Sequence, residues 1–314
     1  MSILEKQPSD TPLVSVCIIT YNSSRTIVET LDSVLSQTYP HIELIVSDDC
    51  SSDNTVSLCD QWINANRNRF FRTQLIIHEQ NGGLAKNINS AISQAAGEWL
   101  KPLAGDDILL SDCIRDNMDF ACHHDNDGVL FSKIQLFFTN DDNERVMMDS
   151  SMPHPAEIKY FSKTAKEQYH HLLSCCFAPA VSVFYKRSVI IDFPYAEEYP
   201  FCEDWPMWIR LTQAGKRLSY LNKLTVLYRV HSRSLSHSSK EVFVNQKYHL
   251  SQRDVFLKEC YLPLRNIDPE LAEQTRKEFV LGDVAVDAFK NRQTFLSRTV
   301  LYILKKMMHI DIAR

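Results

Sequence analysis

Val14 to Thr20 is a short, apolar, β-branched run, and behind it Ile27, Leu31, Val34 and Leu35 recur at helical spacing. This strand, turn and helix unit repeats, and the repetition constrains the fold more than any other feature of the chain. Ile42 to Ser47 reads as a strand, Thr55 to Asn66 as a helix, Gln74 to Ile77 as a strand, Leu84 to Ala96 as a helix and Trp99 to Leu103 as a strand. Four strands alternating with three helices predict an α/β fold: a doubly wound, mostly parallel sheet with helices on both faces. In such a sheet the connections are right-handed and ligands gather at the carboxyl edge of the strands. The loops expected there are Tyr21-Asn22-Ser23-Ser24, Asp48-Asp49-Cys50-Ser51-Ser52-Asp53, Glu79-Gln80-Asn81-Gly82-Gly83 and Gly105-Asp106-Asp107, so polar and acidic residues collect on one rim.

Beyond Ser111 a helix leads to the apolar run Val129 to Phe138. Residues 139–168 are polar, contain Pro153 and Pro155 and show little periodicity, which reads as an excursion or lid. Val181 to Tyr185 and Leu224 to Val230 read as strands and Glu203 to Gln213 as a helix. From Ser239 onward the strand signals stop and the chain reads as helices, with a break marked by Pro263 and Pro269.

A formal net charge of -5 provides no global basic field, so nucleic acid is not an expected partner and attraction to anions has to be local. The nine cysteines are odd in number and lack a C-x-x-C pair, which suits a reducing compartment. The polar, acidic N-terminus is wrong for a secretory signal, and no 18 apolar residues run together. The expectation is a cytoplasmic protein, soluble or at the inner face of the cytoplasmic membrane.

The run ending Ile18-Ile19-Thr20-Tyr21-Asn22, the segment Ser36-Gln37-Thr38-Tyr39-Pro40 and the loop Val46 to Asp53 resemble family 2 glycosyltransferases of the GT-A fold, in particular those of bacterial surface-polysaccharide synthesis. Asn81-Gly82-Gly83 with Lys86-Asn87, Gly105-Asp106-Asp107, Glu203-Asp204-Trp205 and Tyr228-Arg229-Val230-His231 extend the resemblance in the same order. It covers a glycosyltransferase domain over 12–236; an N-terminal tail over 1–11 and a helical C-terminal region over 237–314, read from the sequence pattern, lie outside it. The implied activity is an inverting transfer of a sugar from a nucleotide diphosphate donor, most simply a UDP-sugar, to a glycan or lipid-linked glycan.

What the resemblance implies for single residues agrees with their chemistry. A uracil ring offers an N3–H donor and a face for stacking, and Asp49 and Tyr21 stand where the family has those partners, with Thr20 and Asn22 beside them. Gly83 permits a positive φ beside the nucleotide, and Lys86 opens the next helix toward it. A departing diphosphate gains charge that a hard divalent cation, Mn²⁺ or Mg²⁺, neutralises. Asp106 and Asp107 occupy the family's Asp-x-Asp-Asp segment, whose first acid is here Ala104, and His231 follows as a further metal ligand. Arg229 and Arg233 are candidate phosphate partners. Asp204 matches the family's general base and Glu203 its neighbour, orienting it or binding acceptor hydroxyls. Trp205 could stack on a sugar, whereas Trp208 reads as core.

Structural roles stand beside each of these: Asp48, Asp49, Asp106 and Asp107 could cap the helices that follow them. A signalling receiver domain also carries an acidic pair after a strand, but the motifs run far past the length of one. A dinucleotide oxidoreductase is disfavoured because no G-x-G-x-x-G follows the first strand. A nonenzymatic sugar-nucleotide or glycan-binding relative is the remaining alternative, raised by Ala104. Phe295 to Arg314 mixes Leu301, Ile303, Leu304, Met307 and Met308 with Arg298, Lys305 and Lys306, which fits a helix packed on the core, one packed against a second copy in a homodimer, or one lying on an anionic membrane.

Overall fold

β1 (Val14–Thr20) and β2 (Ile42–Asp48) are apolar along most of their length because helices cover both their faces, and β2 is buried at every residue. The computed structural model describes residues 11–123, 128–142, 144–231 and 242–308. Within it, β3 (Arg72–Ile77), β2, β1 and β4 (Trp99–Ala104) form a parallel group in that spatial order. Their crossovers are α1 (Ile27–Leu35), α2 (Thr55–Asn66) and α3 (Leu84–Gln94). The register aligns Thr20 with Asp48, Asp48 with Ile77 and Ile19 with Ala104, so all four strands end at one rim.

The sheet continues through strands of mixed direction. β5 (Ile108–Leu109) follows the β4 rim, and α4 (Cys113–His123) leads to β6 (Val129–Thr139). β7 (Arg145–Met152) folds back on β6 as an antiparallel partner. The segment read as an excursion therefore begins as a strand of the sheet. Its signal is hidden because none of its residues is buried and half are solvent-exposed, so it needs no apolar alternation. A 3₁₀ turn at Ile158–Ser162 and α5 (Ala165–Leu172) complete that stretch; α5 starts with a capping box between Thr164 and Glu167.

β8 (Phe184–Lys186) is shorter than the apolar run suggested, because residues 180–182 form a 3₁₀ turn; α6 (Arg187–Ile190) follows it at once. α7 (Asp204–Gln213) and β9 (Ser219–Arg229) come next, and the sheet order is β3-β2-β1-β4-β8-β6-β9-β5. The C-terminal region is helical, with α8 (Gln246–Val255), a π-helical turn at Phe256–Cys260, α9 (Tyr261–Ile267), α10 (Pro269–Asp287) and α11 (Phe295–Met307). Pro269 sits at the first position of α10 behind the Asp268 cap, where its missing N–H costs nothing.

Two apolar cores lie on opposite faces of the sheet. One is built on Val16, Ile18, Leu31, Leu44 and Ile63, the other on Cys17, Ile45, Ile88, Trp205 and Trp208. The second continues into Val255, Phe256 and Leu264, so the C-terminal helices share the core of the α/β unit. Residues 1–10 of the expected tail, the boundary at 236–237 and Arg233 lie outside the described residues.

Candidate active site

At the rim the backbone turns out of β1 through Asn22, which adopts φ 50° and accepts at Oδ1 from the N–H of Ser52 (2.9 Å). The Asn22 N–H donates to Ser51 Oγ (2.7 Å), so the β1 and β2 loops are laced together. Tyr21 is left 54% exposed at the end of β1. Thr20 is buried and donates its hydroxyl to Asp48 Oδ2 (2.7 Å), which also accepts from the Ser51 hydroxyl (2.6 Å). Asp48 and Thr20 thus hold the loop in shape. Burial opposes ionisation of nearby Asp53, but hydrogen bonds from Thr55 and Ser24 outweigh it and bring its pKa down to about 2.

Asp49 is almost fully buried, and each of its oxygens takes a backbone N–H from the glycine loop: Gly82 to Oδ1 (2.7 Å) and Gly83 to Oδ2 (2.9 Å). Gly83 has φ 86°, a conformation that an L side chain resists. Asp49 therefore fixes the loop that opens α3, and its remaining lone pairs are what it has to offer a base. Lys86, one turn into α3, is exposed beside Gly82, while Asn87 is buried with Nδ2 3.4 Å from the Thr20 carbonyl.

The third part of the rim joins β4 to β5. Gly105 donates its N–H to the Ile19 carbonyl (2.9 Å), and a Cβ there would sit 2.9 Å from Thr20 Cγ2 and 3.2 Å from the Ile19 oxygen. Only glycine lets the acidic loop approach β1 this closely. Antiparallel pairing of Ile108 with Leu227 then carries Asp106 and the end of β9 to the same place. His231 Nε2 lies 2.9 Å from Asp106 Oδ2, both partly exposed. Ala104 ends β4 opposite Ile19 and contributes no carboxylate.

Asp107 and Arg229 do not join that pair. The Asp107 side chain is turned inward, 1% exposed, and its Oδ1 accepts the Arg229 N–H (3.0 Å). Burial, and then the charge of Asp106, push its carboxyl well above the usual carboxylate range. The Arg229 guanidinium is buried over the Phe137 ring, with Nε on the Asp106 carbonyl (2.8 Å), Nη1 on Thr139 and Nη2 on Glu29. Its donors are committed to protein groups, so it braces the acidic loop where the expectation was a phosphate contact.

Glu203 and Asp204 stand at the start of α7, with Glu203 nearly buried and Asp204 partly open. Burial raises Glu203 well above its ordinary value, with the charge of Asp204 adding to the effect. Burial likewise raises Asp204, to about 6, although its Oδ1 accepts the Trp205 N–H (2.8 Å), which pulls the other way. A carboxylate at that value is a competent proton acceptor at neutral pH. The chain entering α7 is tied to α3 by Asn89, whose Oδ1 accepts from Tyr195 N–H (3.0 Å) and whose Nδ2 donates to the Tyr195 carbonyl (3.0 Å). Trp205 is core: it is 2% exposed and gives its indole N–H to the Leu172 carbonyl (2.8 Å), so it does not stack on a sugar. Trp208 is fully buried, edge-on to Phe131 at 5.1 Å.

Residues 15–190 match the model of glycosyl transferase family 2. The chain belongs to that family. Among curated relatives, it is 28% identical over 236 residues, 74% of this chain and 84% of the other, to a protein of Escherichia coli named UDP-Glc:alpha-D-GlcNAc-diphosphoundecaprenol beta-1,3-glucosyltransferase WfaP. A shorter match, 35% identical over 109 residues (35% of this chain, 42% of the other), is to the putative teichuronic acid biosynthesis glycosyltransferase TuaG of Bacillus subtilis. Among solved structures, S. aureus TarS 1-349 in complex with UDP-GlcNAc superposes with a TM-score of 0.58 at 22% identity, covering 94% of this chain and 80% of that one. The Pyrobaculum calidifontis mannosyltransferase PcManGT in complex with GDP-Man and Mn2+ superposes with a TM-score of 0.57 at 15% identity, covering 96% and 84%. This family 2 glycosyltransferase thus has the fold that its motif order implied.

The segments around the rim of the glycosyltransferase are tied together by residues that no motif announced. Glu29, on the exposed side of α1, and Asn89, in the second turn of α3, act through hydrogen bonds to segments distant in sequence. A polar residue on a helical face carries no local sign of such a partner. All nine cysteines are free thiols, and no helix among the described residues is long and apolar enough to cross a membrane.

Proposed function

We propose that this glycosyltransferase transfers a hexosyl or N-acetylhexosaminyl group, with inversion, from a UDP-sugar to a hydroxyl of a lipid-linked glycan during synthesis of a bacterial surface polysaccharide. The observation that carries the reading is the shared rim. Hydrogen bonds between the β1, β2 and β4 loops bring the Tyr21 ring, the Asp49 and Gly83 loop and the Asp106–His231 pair to one edge of the sheet. That edge offers a face for a base, the carboxylate oxygens of Asp49 near it and oxygen and nitrogen donors beyond. The names of the Escherichia coli relative and of the TarS complex favour UDP over other nucleotides and a diphosphate-linked lipid as acceptor.

The donor set suits a divalent cation. Among the described residues no cluster of three or more metal-binding side chains exists, and a hard cation that takes its remaining ligands from phosphates and water needs only one or two. Asp106 Oδ2 and His231 Nε2 would hold it, with Asp107 outside the set. When bound it neutralises charge on the departing UDP. The protein's own part is proton acceptance by Asp204, which takes the acceptor hydroxyl's proton as that oxygen bonds to the anomeric carbon and the bond to UDP breaks. Glu203, buried beside it, orients Asp204.

The test is UDP release with a panel of UDP-sugars, Mn²⁺ and a polyprenyl diphosphate-linked acceptor. Release is expected to depend on acceptor and metal and to be lost in Asp204→Asn while UDP still raises the melting temperature. Binding without release from any donor would sink the proposal in favour of a sugar-nucleotide-binding module.

A further inference from the structure

α11 carries apolar residues on both sides, with Val300, Leu301 and Leu304 partly buried and others turned outward, more than a helix that serves only the fold requires. Of its thirteen residues just Ser297 is buried, while Phe295 (88%), Leu296 (67%) and Met307 (70%) are exposed, along with Tyr302 and Ile303. At 100° per residue Leu296, Ile303 and Met307 fall on one outward stripe, with Phe295 and Tyr302 on its flank. On the inner side Leu301, Tyr302 and Lys305 line a hollow of about 430 Å³ shared with α8 and α10. The helix is thus lightly packed on its neighbours and apolar toward the outside.

The charge on this part of the chain is one-signed. From Ala288 to Met308 there are five basic residues, Lys290, Arg292, Arg298, Lys305 and Lys306, and no acidic one, in a chain whose formal net charge is -5. Arg298 and Lys306 are exposed, and by the same rotation they bracket Phe295 and Tyr302 on the flank of the stripe, with the Lys306 ammonium 4.8 Å from the Tyr302 ring centre and Arg298 on the side away from Leu296. Aromatic and aliphatic side chains next to lysine and arginine on an outward helical face match the chemistry of an anionic lipid surface, where the apolar groups enter the acyl boundary and the cations meet the headgroups.

We propose that α11 docks the enzyme, in the plane of the bilayer, on a membrane rich in anionic lipid. A second copy of this chain is a poorer occupant, since the basic residues would face their own like charges. The proposal rests on the reading of a lipid-linked acceptor only for its purpose: docking would hold the catalytic rim at the surface where that acceptor lies.

The test is co-sedimentation of the full chain, without donor or acceptor, with vesicles of phosphatidylcholine alone or carrying one third phosphatidylglycerol. Binding is expected to the anionic vesicles and to fall steeply with salt. Leu296→Gln combined with Ile303→Gln should weaken it at least ten-fold, and Arg298→Ala or Lys306→Ala by roughly five-fold each. Unchanged melting temperatures would show that the variants keep the fold, as the exposure of all four positions leads one to expect. No binding to anionic vesicles, equal binding by the variants, or a dimer in solution that the double variant dissociates would each overturn it. Because no turnover is measured, that failure is separate from failure of the proposed reaction.

Discussion

Arg229 Nε donates to the Asp106 carbonyl oxygen at 2.8 Å, so the guanidinium at the end of β9 fixes the backbone of the loop that carries the acidic pair. The same guanidinium reaches Glu29 on α1, and Glu29 in turn accepts from Arg145 on β7 (2.6 Å). β7 and β9 therefore converge on one carboxylate of α1, which through Arg229 bears on the backbone of the loop that carries Asp106. Glu29→Gln keeps the shape and removes the charge. It is expected to raise the Mn²⁺ concentration needed for tight UDP binding by roughly ten-fold, the usual size of an effect on a group supporting a metal ligand. Calorimetric titration of UDP at several Mn²⁺ concentrations checks this. Arg145→Ala, which leaves the Arg229 contact in place, should shift it little, and equal behaviour of the two variants would refute the role given to Glu29.

The raised pKa of Asp204, about 6 through burial, sets a pH dependence whose sign follows from its role. A general base works only when deprotonated, so activity should rise with pH through about 6 and level off above it, falling about ten-fold per unit on the acid side. Asp204→Asn should lower kcat by roughly 10² to 10⁴ and flatten this limb. Rates of UDP release between pH 4.5 and 8, at saturating metal, decide the matter. An acid limb that persists in the asparagine variant would assign it to another group.

Much of the α/β unit was legible because β1, β2 and β4 are buried, mostly apolar runs, the edge strand β3 ends in an apolar Leu-Ile-Ile, and the crossovers carry apolar faces. The rim was legible for the same reason, since strand ends fix where loops go. Less visible were features set by partners distant in the chain. β7 pairs along one edge of β6 while its side chains meet water, so neither period nor composition marks it. Asp107 and Arg229 match phosphate or metal chemistry in type, yet both are buried in the brace behind Asp106. Nothing in a run of Asp-Asp says which carboxylate faces out. That choice is made by the antiparallel pairing of Ile108 with Leu227, more than a hundred residues away. Trp205 likewise sits in a catalytic-looking motif and is claimed by the core through the Leu172 carbonyl.

Glu203 gives a prediction in which stability and activity part. Its carboxyl is buried, and burial together with the neighbouring Asp204 charge holds its pKa well above the ordinary glutamate value. Between the unfolded value, about 4.3, and the higher folded one, the native state keeps a proton that the unfolded chain releases. The group therefore contributes its full stability below the unfolded pKa, and that contribution is lost as pH rises through the folded pKa. Glutamine is nearly isosteric with the protonated acid and cannot ionise. Glu203→Gln should match the parent in stability near pH 4.5 and exceed it at pH 8, by about 1–3 kcal/mol, the cost of a buried carboxylate with incomplete hydrogen bonding. The same change tests the orienting role proposed for Glu203, under which activity should fall because an amide replaces the carboxyl beside Asp204. Melting curves across pH 4.5 to 8 give the stability difference, and a variant whose advantage does not grow with pH would show that folding does not raise the pKa of Glu203.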